Sequence, residues 1–130
     1  MESIIQHSTL KRILKKVRFS IKLLLDRKYW TVDIYGWLKI IDNWKKNKYN
    51  YIADRFDCDD FARLFKCYVT REYKLNAVGF VVDWLKRHSY NIVVTSDLSI
   101  YVVEPQTGDV WKYENRPRDK YLCNLSLIIF

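Results

Sequence analysis

The chain has 130 residues, is 49% hydrophobic and 16% aromatic, contains only 3 glycines and 2 prolines, and carries a formal net charge of +8. This composition excludes low-complexity and intrinsically disordered proteins, and the length suits one domain over residues 1–130, with a helical part over 1–50 and a core over 51–130. No apolar run approaches the roughly 18–20 residues of a membrane span, and the three cysteines are too widely spaced for a disulfide framework, so we expect a cytoplasmic protein (host cytoplasm if viral).

The positive charge is concentrated near the N-terminus. Residues 9–28 contain eight Lys or Arg and one Asp, which gives +7 of the net +8. Apolar residues recur at helical spacing in this segment, which predicts an amphipathic helix over residues 8–28. Such a helix either packs on the core with a solvated lysine face, or docks an anionic partner such as nucleic acid or an acidic membrane surface.

Two further helices follow. Asp33 caps a predicted helix over residues 33–46, in which Trp37 and Trp44 share one side and serve either as core or as a ligand platform. A third helix starts at Cys58 after the N-cap Asp57 and continues to residue 71 or 73.

From residue 76 onward the pattern is typical of strands. Segments 77–85, 88–95, 98–104 and 122–130 are rich in β-branched and aromatic residues and are separated by turn-forming residues. The short connections favour antiparallel hairpins. The predicted fold class is therefore α+β, with N-terminal helices packed on a C-terminal antiparallel β-sheet.

Three residues of different elements form a possible catalytic set. If the second hairpin turns about Ser96, then His88 lies opposite Glu104, and the carboxylate would orient the imidazole. Cys58 at a helix N-terminus is favoured as a thiolate by the helix dipole, although the neighbouring aspartates oppose its ionisation. The set predicts Cys58 as nucleophile, His88 as base and Glu104 as orienting acid.

Each of these residues also has a structural interpretation. Cys58 could be a packing residue, as we expect for Cys67 and Cys123. His88 could be a surface strand residue, and Glu104 could pair with Arg87.

The segments FDCDDFA at 56–62, AVGFVVD at 77–83, HSYNIVV at 88–94 and VVEPQTG at 102–108 resemble a papain-like or transglutaminase-like cysteine protease domain. They are similar to the C-terminal protease domain of certain fungal agglutinins and to phage and archaeal proteins of unknown role. The resemblance covers about residues 53–111. It implies a papain-like core, the catalytic roles given above for Cys58, His88 and Glu104, and calcium as a possible cofactor.

The calcium dependence of the agglutinin-type relatives suggests Asp57, Asp59 and Asp60 as metal ligands, because clustered carboxylates are the oxygen donors that calcium prefers. Helix capping and dipole complementation by the same residues is the plainer alternative.

Two weaker site residues complete the resemblance. Asn91 matches the H-x-x-N pattern, but strand alternation places it on the opposite face from His88. Gln106 could donate to an oxyanion or belong to a turn.

The main functional prediction is a cysteine peptidase, thiol hydrolase or acyl transferase that acts on an amide or ester of a peptide or protein substrate. One alternative is a non-catalytic binding or structural module of the same fold that holds a peptide or calcium. The other is a protein that docks through its basic helix to nucleic acid or an acidic surface.

Overall fold

The computed structural model describes all residues from 1 to 130. It contains eight β-strands and three α-helices. The strands are β1 (Ser3–Gln6), β2 (Ile21–Leu23), β3 (Lys28–Thr31), β4 (Val78–Asp83), β5 (His88–Val94), β6 (Ile100–Glu104), β7 (Asp109–Lys112) and β8 (Ser126–Ile129). The helices are α1 (His7–Ile13), α2 (Ile34–Lys45) and α3 (Cys58–Tyr73).

A six-stranded sheet in the order β2-β8-β4-β5-β6-β7 forms the centre of the molecule. Strands β4 to β7 are an antiparallel meander, and β8 returns antiparallel to β4. The edge strand β2 runs parallel to β8, so the sheet is mixed. Strands β1 and β3 pair separately as a two-stranded antiparallel ribbon.

The central strands are buried on both faces. One face packs against α2 and α3 through a cluster that includes Trp37, Trp44, Phe65 and Val93. The other face packs against the N-terminal segment through a second apolar cluster, which includes Tyr90. This two-sided burial explains why the apolar runs at residues 80–82 of β4 and 92–94 of β5 do not alternate with polar residues.

α2 begins at a capping residue, and α3 ends at a residue with left-handed backbone. The Asp33 side chain accepts a hydrogen bond from the Gly36 N–H at 2.8 Å and starts α2. α3 ends before Lys74, which adopts a left-handed conformation with φ of 58°. Trp37 and Trp44 are both buried, and the Trp44 indole donates to the Pro105 carbonyl at 2.8 Å. Both tryptophans therefore belong to the apolar core.

The predicted fold class, N-terminal helices on a C-terminal antiparallel sheet, is wrong. The first 33 residues contribute three strands and only one short helix, and one of those strands joins the sheet. Because β2 joins in parallel, the sheet is not purely antiparallel. Long-range pairing with β8 decides the structure here, and local helical spacing does not.

The predicted basic helix over residues 8–28 is also wrong. α1 ends at Ile13, and Phe19 has a positive φ of 55° that reverses the chain. Beyond that turn, Ile21 and Leu25 are 57% and 73% exposed, whereas a core-packing helix would bury them. There is consequently no continuous basic helix face for an anionic partner. None of the helices combines the length and the apolar character needed to cross a membrane.

Candidate functional site

A cleft of about 610 Å³ lies where β5 and β7 begin and β6 ends, on the sheet face away from α3. The loop over residues 117–121 forms its far wall. Its lining residues are Lys86, Arg87, His88, Glu104, Gln106, Thr107, Asp109, Trp111, Pro117, Asp119, Lys120 and Tyr121.

The structure brings His88 and Glu104 together at the floor of this cleft. The His88 Nε2 and Glu104 Oε1 atoms are 2.6 Å apart. The register differs from the predicted one by two residues, because Asn91 pairs with Val103. A two-residue shift leaves both side chains on the same face, and such diagonal neighbours remain within reach of long side chains.

Glu104 is a buried acceptor with several donors. Besides His88, it accepts from the Tyr121 hydroxyl at 3.1 Å and from the Gln106 N–H at 3.2 Å. Burial and the neighbouring Glu104 carboxylate raise the pKa of Tyr121, so the hydroxyl stays a donor. These hydrogen bonds hold the end of β6, the β6–β7 turn and the far wall of the cleft in one arrangement.

Two aromatic rings form the apolar part of the cleft. The Trp111 and Tyr121 ring centroids lie 4.8 Å apart with an interplanar angle of 39°. Tyr121 is buried, and Trp111 packs against the apolar cluster while remaining partly exposed. Trp111 therefore presents an aromatic surface to a ligand in the cleft.

A buried arginine holds the far wall. The Arg116 guanidinium donates to the carbonyls of Tyr113, Tyr121 and Leu122 at 2.7–2.8 Å. Its central carbon lies 3.8 Å from the centroid of the Tyr113 ring. Three carbonyls and a ring face compensate the buried cation, so the loop that carries Tyr121 is anchored at both ends.

Charges of both signs line the cleft. Lys86, Arg87 and Lys120 offer donors. Glu104, Asp109 and Asp119 offer acceptors in equal number. The cleft is thus rich in hydrogen-bonding groups without a strong net charge.

Cys58 is not among the lining residues of this cleft. It is half-buried at the start of α3, beside the backbone of Ser89. Burial, followed by the charges of Asp57 and Asp59, raises the pKa of the Cys58 thiol, while the Ser89 backbone contact opposes the shift. No hydrogen bond joins Cys58 to His88. The arrangement therefore favours a neutral thiol, and the helix dipole does not prevail over burial and carboxylates.

The acidic trio lies together as predicted from its spacing. Oxygens of Asp57, Asp59 and Asp60 lie within 4.8 Å of one another. The Asp57 N–H donates to Asp60 at 3.2 Å, which is half of a capping box, and this contact lowers the pKa of Asp60. A hydrogen bond with Asp57, together with burial, raises the pKa of Asp59. Capping accounts for Asp57 and Asp60, and the trio's remaining oxygens fit a weak calcium site, which stays a prediction.

The structure places Asn91 and Gln106 in different surroundings. Asn91 is buried against α3 and donates to the carbonyls of Ala62 and Gly79 at 2.9 and 3.1 Å, which makes it a link between helix and sheet. Its Oδ1 atom is buried without a partner. Gln106 lies on the rim of the cleft.

The sequence interpretation missed Trp111 and Tyr121. The signal for Trp111 was the alternation of Asp109 and Trp111 after the Thr107–Gly108 turn, which places both on one face of a short strand. Tyr121 lies in an irregular loop, and no local pattern indicates its position.

Comparison with known proteins identifies relatives among lectins. The family model of the ricin-type beta-trefoil lectin C-terminal domain matches residues 4–123. A structure of a complex of PSL1a with E64 superposes with a TM-score of 0.75 at 19% identity, covering 98% of this chain and 50% of that chain. Polyporus squamosus lectin bound to the human-type influenza-binding epitope Neu5Acα2-6Galβ1-4GlcNAc superposes with a TM-score of 0.72 at 18% identity, covering 98% of this chain and 49% of that chain.

At these identities the likeness to the solved structures is one of fold. The chain spans about half the length of the chains it matches. No similar protein was found among curated protein sequences.

These findings correct the sequence-based assignment. The prediction of a papain-like or transglutaminase-like cysteine protease family is wrong, because the family that matches is a lectin domain family. The predicted cysteine peptidase, hydrolase or acyl transferase activity and the predicted peptide or protein substrate are wrong on the same finding. The raised pKa of the Cys58 thiol agrees with that correction.

Proposed function

Since the chain belongs to the ricin-type beta-trefoil lectin C-terminal domain family, we propose that it is a non-catalytic module that binds a carbohydrate in the cleft beside Trp111. The observation that carries the proposal is the partly exposed Trp111 ring flanked by side chains that donate and accept hydrogen bonds. It develops the interpretation of the chain as a binding module.

A sugar ring matches this combination of groups. Its C–H faces are apolar and suit an aromatic wall, while each hydroxyl both donates and accepts hydrogen bonds. Lys86 and Arg87 can donate to ring or hydroxyl oxygens, and Asp109 and Asp119 can accept from hydroxyls. A cleft with few apolar residues and many polar ones suits a polyhydroxylated ligand better than an apolar one.

His88 and Glu104 belong to this binding site in the proposal. Glu104 already accepts hydrogen bonds from His88, Tyr121 and Gln106, so its role in the proposal is to fix the cleft floor. His88 presents its second ring nitrogen as a further polar group. Because the walls are already held in place, the protein loses less conformational entropy when a ligand binds.

The lectin neighbour supports the choice of ligand class. The Polyporus squamosus structure contains a sialylated trisaccharide epitope. That observation belongs to the neighbour, and for this chain it motivates carbohydrate as the first class of ligand to test.

The test is a binding survey of immobilised glycans followed by titration of the best ligand. We expect Trp111→Ala to weaken binding by at least about tenfold, because the aromatic wall is lost. Trp30→Ala is the matched control, since Trp30 is also exposed but lies on β3, outside the cleft. Absence of binding to any glycan, or equal affinity of the Trp111→Ala variant, would overturn the proposal.

A further inference from the structure

A second, smaller pocket lies on the helix side of the turn between β6 and β7. Its volume is about 110 Å³. Its lining is mixed. Aromatic and apolar walls come from Trp44, Tyr49, Phe61 and Pro105, and polar ones come from Lys45, Asn47, Gln106 and Thr107. Trp44 and Phe61 are buried, and Tyr49 is 45% exposed at the opening. The Trp44 and Tyr49 ring centroids are 5.7 Å apart, so the walls support each other.

The same turn borders this pocket and the cleft. Gln106 and Thr107 line both cavities, and both residues are exposed. The Gln106 side chain makes no hydrogen bond within the protein. An amide with a free donor and a free acceptor therefore stands on the rim between the two cavities.

The rim is held rigidly. The Gln106 N–H donates to the Glu104 carboxylate at 3.2 Å, and the Gly108 N–H donates to the Glu104 carbonyl at 2.8 Å. Gly108 has φ of 80°, and a Cβ there would lie 2.3 Å from the Lys45 Cδ atom, so the turn rests directly on the end of α2.

We propose that the ligand crosses the Gln106–Thr107 rim and inserts an acetamido group into the Trp44–Tyr49–Phe61 pocket, so that the site selects N-acetylated sugars. This inference rests on the proposed carbohydrate binding and adds its specificity. A cavity of about 150 Å³ holds a benzene molecule, so this smaller one takes a substituent of a few atoms and not a sugar ring. An acetamido group has four non-hydrogen atoms.

The chemistry of the pocket matches both ends of that group. Its methyl meets the rings of Tyr49 and Phe61, and its N–H and C=O meet the unpaired amide of Gln106.

The experiment compares N,N′-diacetylchitobiose with cellobiose by calorimetry, because the two disaccharides differ in their acetamido groups. We expect the wild type to bind the acetylated disaccharide about tenfold more tightly, from the buried methyl and the paired amide. Tyr49→Ala should reduce this preference to about twofold or less, with the affinity for cellobiose unchanged. Tyr35→Ala, which removes an exposed tyrosine of α2 outside the pocket, should retain the preference.

Equal binding of the two disaccharides by the wild type would overturn the inference, and so would a preference that survives in Tyr49→Ala. If the wild type binds neither disaccharide but binds another glycan in a Trp111-dependent way, the acetamido specificity fails and carbohydrate binding stands. If no glycan binds at all, both proposals fall.

Discussion

The Cys58 thiol lies at a position where local electrostatic effects compete. The helix dipole and the Ser89 backbone favour the thiolate, whereas burial and two carboxylates disfavour it, and the pKa is raised. At neutral pH the group is therefore a thiol and a poor nucleophile.

Alkylation by iodoacetamide between about pH 4 and pH 10.5 tests this state of Cys58. We expect its labelling rate to rise only above the ordinary thiol range near about pH 8.5, because the thiolate is the reactive form. Mass spectrometry separates the Cys58 peptide from that of the exposed Cys67. Asp59→Asn should shift the Cys58 profile to lower pH, because it removes a neighbouring negative charge.

Selective labelling of Cys58 well below pH 8.5 that is lost in His88→Ala would contradict this view. It would demonstrate a thiolate–imidazolium pair and restore a catalytic interpretation of Cys58, His88 and Glu104.

The acidic trio next to Cys58 allows a second residue-level test. Asp60 already accepts from the Asp57 N–H, and Arg63 pairs with both Asp59 and Asp60. The three carboxylates therefore suit only a weak calcium site, with a dissociation constant of about 1 mM. At about 10 mM calcium, such a site stabilises the folded state by about 1.4 kcal/mol, which thermal unfolding would detect. Asp59→Asn should abolish the calcium effect while leaving the capping contact between Asp57 and Asp60. Magnesium at the same concentration is the reference ion. If calcium raises the unfolding midpoint no more than magnesium does, the trio has only a capping role.

At the scale of elements, the loop that carries Tyr121 depends on one side chain. Arg116 satisfies three carbonyls that span residues 113–122. Arg116→Lys keeps the charge but cannot donate to all three in the same geometry. We expect a loss of about 2–4 kcal/mol in the free energy of unfolding by urea, and weaker glycan binding even where the variant is fully folded.

Arg118→Lys is the control for that experiment, since Arg118 lies exposed in the same loop. Equal unfolding free energies and equal glycan affinities of Arg116→Lys and the wild type would refute the role of Arg116.

The sequence predicts those elements whose signals are local. α2 and α3 carry their own caps and apolar faces, and the meander β4–β5–β6 carries short turns and β-branched runs, so their positions follow from residues close in the chain. The contact between His88 and Glu104 also follows, because a two-residue error of register preserves the face.

The N-terminal segment could not be predicted in the same way. Ile21 and Leu23 belong to β2 only because β8 offers a neighbouring strand, and that partner is about one hundred residues away in the chain. Local spacing alone describes the segment as helix. The far wall of the cleft is equally non-local, since Tyr121 is positioned by Arg116 and Glu104.

At the scale of the whole molecule, the two faces of the sheet carry different parts of the candidate site. The cleft with Trp111 lies on the face away from α3, and the Trp44 pocket lies on the helix side, joined by the β6–β7 turn. The four segments that carried the resemblance to a protease domain did not identify the family. They lie in the core strands β4, β5 and β6 and at the start of α3. The division of the chain at residue 50 and the cytoplasmic location stay predictions.

The parallel pairing of β2 with β8 has a consequence for biosynthesis. Ile21 pairs with Leu127 and Leu23 with Ile129, and Phe130 packs edge-on against Tyr29. While the ribosome is still translating the meander, the basic segment emerges without its partner strand and with its apolar residues uncovered. The meander can fold from local contacts as it leaves the exit tunnel, but the sheet edge closes only after residues 126–130 have been synthesised. A nascent chain arrested before residue 126 would therefore present the segment 9–28 to chaperones.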